Sequence, residues 1–240
     1  MLFDLDGTLL PISQDAFIEA YFHELSKTFV ELGLDAKKSI LAVWAGTKAM
    51  LKNDGSASNS DCFWREFSSF YGGLEDRLAD IEDATDRFYE DEFNRVQNII
   101  TPTVLPAKLI STLRNKGYTL VLATNPLFPP QAVASRLGWI GLTLEDFDLH
   151  TDYHNARFCK PNLDYYRDIF TVLKADPKQC LMVGNTVAED MCAALLGCST
   201  YLVTDYLENS EGADYNMFEQ GTLADFAAWT EQLPQLNLDT

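Results

Sequence analysis

The sequence predicts an α/β fold: a three-layer core on a central parallel sheet, with an all-helical domain inserted after the first strand. Three observations predict it. Residues 101–240 alternate short apolar runs with amphipathic stretches, the rhythm of strands joined by helical crossovers. Residues 14–100 instead repeat apolar positions every three or four residues, with no convincing strand. The first apolar run (Leu2, Phe3, Leu5) stands alone ahead of that block. A lone strand leaves its edges unpaired, so this one belongs to the sheet of the later segment. The domains are therefore 1–12 with 101–240, and 13–100.

Each element has its own signal. Residues 2–6 read as a strand that breaks at Gly7. Ser13 is a candidate N-cap. Beyond it Phe17, Tyr21, Leu25, Phe29 and Leu32 make one stripe, and Gly33 ends the helix. Asp35 caps a second helix, and Ser60 is assigned as the cap of a third after the polar loop 53–60. Gly72 and Gly73 separate that helix from an acidic helix or helix pair over 74–96. Past Pro102 the expected order is helix 106–116, strand 118–123, helix 129–137, strand 147–151, helix 162–173, strand 180–183, helix 187–196, strand 200–203 and helix 223–233. The run 118–123 is apolar throughout, as in a strand buried on both faces.

Composition excludes several function classes. The net charge of −18 over 240 residues argues against a nucleic-acid backbone as partner. It does not exclude a small phosphorylated ligand, which needs only a few local donors. No apolar run reaches the length of a membrane span, and Asp4 and Asp6 interrupt any signal-peptide core. Five cysteines, an odd number without a Cys-x-x-Cys pair, argue against a disulfide framework or zinc site. A reducing, cytoplasmic location is the expectation.

In an open parallel sheet, ligands bind beyond the carboxyl ends of the strands. Asp4, Asp6, Gly7 and Thr8 follow the first strand, and Thr124-Asn125-Pro126 follows the second. Lys160-Pro161 precedes the helix at 162, and Gly184-Asn185 with Glu189-Asp190 follows the fourth strand. Carboxylates inside apolar runs are costly to bury unless something pairs with them, and two at one strand end ask for a cation. Thr124 and backbone N–H groups in a turn suit phosphate oxygens. Acids to hold Mg²⁺, a hydroxyl and a Lys to orient phosphate, and one free carboxylate to attack make up the requirements of phosphoryl transfer.

The four segments together resemble the haloacid dehalogenase-like superfamily, whose members are mostly phosphatases. Asp4-Leu5-Asp6-Gly7-Thr8 matches its first motif, Val121-Leu122-Ala123-Thr124 its second, Lys160-Pro161 its third, and Gly184-Asn185 with Asp190 its fourth. The resemblance implies a Rossmann-like core and identifies the inserted helices as the family's cap. It implies Asp4 as nucleophile and Asp6 as proton carrier. It implies Thr124, Asn125 and Lys160 around the phosphoryl group, and Mg²⁺ at Asp4, the Asp6 backbone carbonyl, Asn185 and Asp190. Dehalogenases and phosphonatases of the family lack an acid at the Asp6 position, so Asp6 favours hydrolysis of a small phosphorylated metabolite. A phosphomutase or a weakened phospho-ligand-binding protein are the alternatives. The family usually has Asp where this chain has Asn185, which implies weaker metal affinity, with Glu189 as possible compensation. In the cap, Trp44 reads as core, and His23, Lys48 and Arg65 as solvated surface.

Overall fold

The computed structural model describes residues 1–236. The apolar runs become short strands. β1 (Leu2–Phe3) leads into the inserted helices α1 (Gln14–Glu31), α2 (Ala36–Leu51), α3 (Asn59–Tyr71) and α4 (Leu78–Glu90), followed by a 3₁₀ segment, Glu92–Ile99. The core resumes with α5 (Leu105–Asn115), β2 (Val121–Leu122), α6 (Pro130–Gly138), β3 (Leu149–His150) and α7 (Leu163–Leu173). It closes with β4 (Leu181–Gly184), β5 (Ser199–Val203), β6 (Glu219–Gly221) and α8 (Leu223–Thr230). All six strands are parallel, in the order β3-β2-β1-β4-β5-β6.

The expected α/β architecture is present, and β1 takes the middle of the sheet: Leu2 is in register with Val121 on one side and Met182 on the other. The chain adds strands on one side of β1, then crosses to β4 on the other. The loops after β1 and β4 therefore part at this switch point and leave a crevice between them.

The insert is built around α1. Ser13 caps it, and its buried stripe is Phe17, Tyr21, Leu25 and Phe29. Against it lie α2 and α3, which pack closely at Gly46, where a Cβ would come within 2.6 Å of the Phe63 ring. The insert is tied to the core at the start of α3. The Asn59 and Ser60 backbone N–H groups donate to Ala156 and Tyr153 carbonyls, at 2.9 and 2.8 Å.

The structure corrects several local expectations. Ser58, not Ser60, caps α3, accepting from the Asp61 N–H at 3.0 Å, because the N–H of Ser60 is used on the core. The acidic stretch splits at Asp91, whose φ of −110° and ψ of −82° end α4. Residues 187–190 are a turn, and only Met191–Leu196 is helical, as 3₁₀. The last helix stops at Thr230, short of Pro234. β6 has no apolar pattern at all (Glu-Gln-Gly); as an edge strand it is held by backbone pairing to β5. The first strand also ends sooner than expected, at Phe3 rather than Asp6.

Candidate active site

The early end of β1 separates its two acids. Had the strand continued, Asp4 and Asp6 would share a face. Instead the Thr8 and Leu10 N–H groups fold back on the Leu5 carbonyl, and Gly7 turns the chain at φ +77°. A Cβ on Gly7 would lie 2.3 Å from Asn185 Nδ2, so only glycine lets the two loops meet.

Asp4 faces the β4 loop. Lys160 Nζ donates to Asp4 Oδ1 at 2.9 Å and to Asp190 Oδ1 at 2.7 Å, with the ammonium fully buried. Burial alone would push the Lys160 ammonium toward neutrality; Asp190 and Asp4 outweigh it and hold its pKa well above the ordinary value. Asp190 is buried beneath the site, which raises its pKa, and Lys160 opposes that rise. The other Asp190 oxygen accepts the Thr186 N–H at 2.9 Å. Thr8 Oγ1 donates to Asn185 Oδ1 at 3.0 Å and sits 3.4 Å from Asp4 Oδ2. The Asn185 amide nitrogen donates to the Tyr206 carbonyl at 2.7 Å, so its oxygen is the end turned to Asp4.

Asp6 faces the other way, to Arg136 of α6. Nothing in the sequence singles Arg136 out: it is one charge on a helix whose neighbours are apolar or polar. The structure buries it completely, stacked over Phe128 and Phe17, with one nitrogen bonded to Asp6. Burial raises the Asp6 pKa, Arg136 opposes that, and the Asp4 charge adds to it. Asp6 Oδ1 and Arg136 Nη2 are buried without a hydrogen-bond partner among the described residues.

The phosphate-binding candidates assemble around the same point. The Thr124 carbonyl is held by Thr151 and Tyr165 hydroxyls at 2.8 and 2.9 Å, while its own hydroxyl has no hydrogen-bond partner among the described residues. Asn125 bridges two loops: its Oδ1 accepts the Lys160 N–H at 3.2 Å, and its Nδ2 donates to Glu189 Oε2 at 3.0 Å. Burial pushes the Glu189 carboxyl up to about 7, helped by Asp190 and Asp4 and opposed by Lys160 and Asn125.

Asp4, Asp6, Thr124, Asn125 and Glu189 open on one cavity of about 280 Å³; Lys160, Asn185 and Asp190 lie beneath its floor. Glu208, in the loop after β5, also lines the opening, brought there because its N–H donates to the Asn185 carbonyl. It lay outside every sequence motif. The cavity continues into the insert, walled by Tyr21, Phe22, Phe67 and their neighbours. Trp44 belongs to this wall, 46% exposed at the rim, and is not core as its pattern suggested. His23, Lys48 and Arg65 are on the surface. Among the described residues no helix is long and apolar enough to cross a membrane.

Known proteins share this fold. No curated protein matches the sequence. Among solved structures the chain is similar to a HAD phosphatase from Thermococcus onnurineus, at 20% identity over 98% of both chains and a TM-score of 0.57. It is also similar to the L-2-haloacid dehalogenase of Xanthobacter autotrophicus, at 18% identity over 97% of this chain and 98% of that one, TM-score 0.54. CbbY from Rhodobacter sphaeroides, solved with xylulose-(1,5)bisphosphate, gives 18% identity over 93% and 94%, TM-score 0.57. Identities this low speak for the fold. The family model of haloacid dehalogenase-like hydrolases, however, matches residues 1–196, from the Asp4 loop through Lys160 to Asp190, and on that match the chain belongs to the haloacid dehalogenase-like hydrolases.

Proposed function

We propose that the chain hydrolyses a phosphomonoester through an aspartyl-phosphate on Asp4. One observation carries this reading: two acids open on one cavity but are held by different cations. Lys160 fixes one oxygen of Asp4 and leaves Oδ2 with only the long contact to Thr8. Asp6 is held by Arg136, with a carboxyl pKa raised by burial. Two carboxyl groups in such different settings are suited to different tasks, attack at one and proton transfer at the other.

In the first step Asp4 Oδ2 forms a bond to phosphorus as the ester P–O bond breaks, and Asp6 gives its proton to the departing alkoxide. In the second, Asp6 takes a proton from water as that water attacks phosphorus. Phosphate leaves and the Asp4 carboxylate returns. The Thr124 hydroxyl and the Asn125 loop hold the phosphoryl oxygens, and Lys160 orients Asp4 from below. The insert contributes no Asp, Glu, His, Lys or Arg to the cavity lining among the described residues, which favours transfer to water over transfer within the substrate.

The residues suit a divalent metal. Every donor is oxygen, the preference of Mg²⁺. Asp4 Oδ2 and Asn185 Oδ1 are turned to a common point by Thr8. The opening is lined by Asp4, Asp6, Glu189 and Glu208 with no cation among them. Asp4, the Asp6 carbonyl and Asn185 would hold Mg²⁺, joined by Asp190 only if it gives up its bond to Lys160; the metal would supply charge neutralisation for the phosphoryl group.

Replacing Asp4 by Asn tests the reading. Turnover of p-nitrophenyl phosphate is expected to vanish while the circular dichroism spectrum is unchanged; undiminished turnover would remove Asp4 as nucleophile. A wild-type enzyme that Mg²⁺ does not stimulate would favour the phospho-ligand-binding alternative.

A further inference from the structure

The cavity beyond Asp6 is shaped for a leaving group of a particular kind. Its lining along α1 runs from Gln14 to Phe29, sixteen residues or about 22 Å of helix, with Leu25 and Phe29 fully buried at the far end. The whole cavity, catalytic opening included, has a volume of about 280 Å³, above the roughly 150 Å³ of an apolar cavity that takes up benzene. Beyond the catalytic opening the wall is aromatic and aliphatic: Ile18, Phe22, Trp44, Leu51 and Phe63 carry its accessible surface, with Leu25, Phe29 and Phe67 fully buried behind them.

The hydroxyls that the insert brings to this wall are already engaged. Tyr21 and Tyr89 hydroxyls bond to each other at 2.7 Å. Thr47 and Thr85 hydroxyls donate to the Val43 and Glu82 carbonyls at 3.0 and 2.8 Å. Among the described residues no Lys, Arg or His lines the cavity, and Arg136, which stacks over Phe17 and Phe128, is fully buried with its charge on Asp6. A second phosphate or a carboxylate on the substrate would meet no cation in the insert. Sugar hydroxyls would displace water from an apolar wall and find few free partners, which is unfavourable. An apolar chain gains at every methylene.

We infer that the substrates of this site are phosphomonoesters of elongated apolar alcohols, alkyl or aryl-alkyl, with the phosphate at Asp4 and the chain lying along α1. The inference rests on the phosphatase reading for its chemistry but not for its binding. Trp44 and Leu51, 46% and 50% exposed, form an apolar rim through which such a chain can enter.

The test compares kcat/KM for ethyl, hexyl and decyl phosphate with that for glycerol 3-phosphate and glucose 6-phosphate. A rise of about fourfold per buried methylene is expected until the cavity is filled, with both polar esters below hexyl phosphate. Glucose 6-phosphate or glycerol 3-phosphate turning over as well as decyl phosphate would overturn the inference. Trp44→Glu, at the exposed rim, should lower the decyl-to-ethyl ratio at least tenfold; an unchanged ratio would place the chain elsewhere. Should no ester be hydrolysed, the phosphatase reading fails separately. Binding of 1-decanol then decides, read by the tryptophan fluorescence of the full chain: saturable quenching that Leu51→Glu, at the same rim, weakens supports the apolar site, and no saturable change overturns it.

Discussion

The two ends of the cavity are built on opposite principles. At the core end, charges are buried in pairs: Lys160 with Asp4 and Asp190, Arg136 with Asp6. At the insert end no charge lines the wall, and the hydroxyls there have protein partners. Paired buried charges contribute little net stability, because desolvation offsets their attraction, but they fix geometry and are costly to break. An aromatic wall does the reverse, stabilising by area while tolerating many shapes. The core end therefore determines which bond is broken, and the insert end which molecule carries it.

The sharpest way to break that division is at Arg136, a buried charge that touches both ends. Arg136→Met keeps the volume and the contact with Phe17 and Phe128 but leaves Asp6 without its cation. Removing one partner of a buried pair costs about 3–5 kcal/mol. Asp6 is itself about one-third exposed, so the lower end, about 3 kcal/mol in denaturant unfolding, is expected. With its cation gone, the Asp6 pKa rises further. The deprotonated form that activates water then dominates only at higher pH, so the acid limb of the kcat profile moves upward. A profile that stays in place would make Arg136 a packing residue only.

Much of the core end was legible in the sequence because strand ends announce themselves: a buried apolar run followed by Asp, Thr or Gly-Asn lies at the sheet edge where the crevice opens. Lys160 belonged to that group through its motif. Arg136 did not, since its partner lies 130 residues away and only the folding of α6 beside the β1 loop joins them. Glu208 was hidden for a similar reason, being carried in by a backbone bond to Asn185. The insert was legible as helices but not as a cavity wall. Periodicity marks which face of α1 is apolar, and a core and an apolar pocket give the same stripe; Trp44 was misread on that account.

A smaller effect is expected at Asn185. Asn185→Asp adds a carboxylate beside Asp4 at the point Thr8 defines. If Asn185 is a metal ligand, the Mg²⁺ concentration for half-maximal activity should fall about tenfold, equivalent to ~1.4 kcal/mol. In the absence of Mg²⁺ the same change places like charges together, so the metal-free protein should melt at a lower temperature than wild type. Added Mg²⁺ should then restore more stability to the variant than to the parent, a linkage absent if position 185 only braces the Tyr206 loop.

The smallest effect belongs to the outer face of α1. Glu24 bonds Lys27 at 2.6 Å and Arg95 at 3.2 Å, tying the helix to the segment Glu92–Ile99. The hydrogen bond from Lys27 is the main cause of its lowered pKa, and Arg95 adds to it. A carboxylate whose folded pKa is depressed stabilises above its unfolded value, near 4.3, and loses that contribution as pH falls through the folded pKa. Glu24→Gln should therefore cost below about 1 kcal/mol at pH 7, and its difference from wild type should shrink as the pH falls below about 4. Phe29→Ala, on the inner face of the same helix, removes a fully buried ring, and about 3–5 kcal/mol is expected whatever the pH. Two unfolding titrations across pH would thus separate the faces of one helix: one holds the insert in place by charge, weakly and pH-dependently, and the other by the aromatic core packed behind the cavity wall.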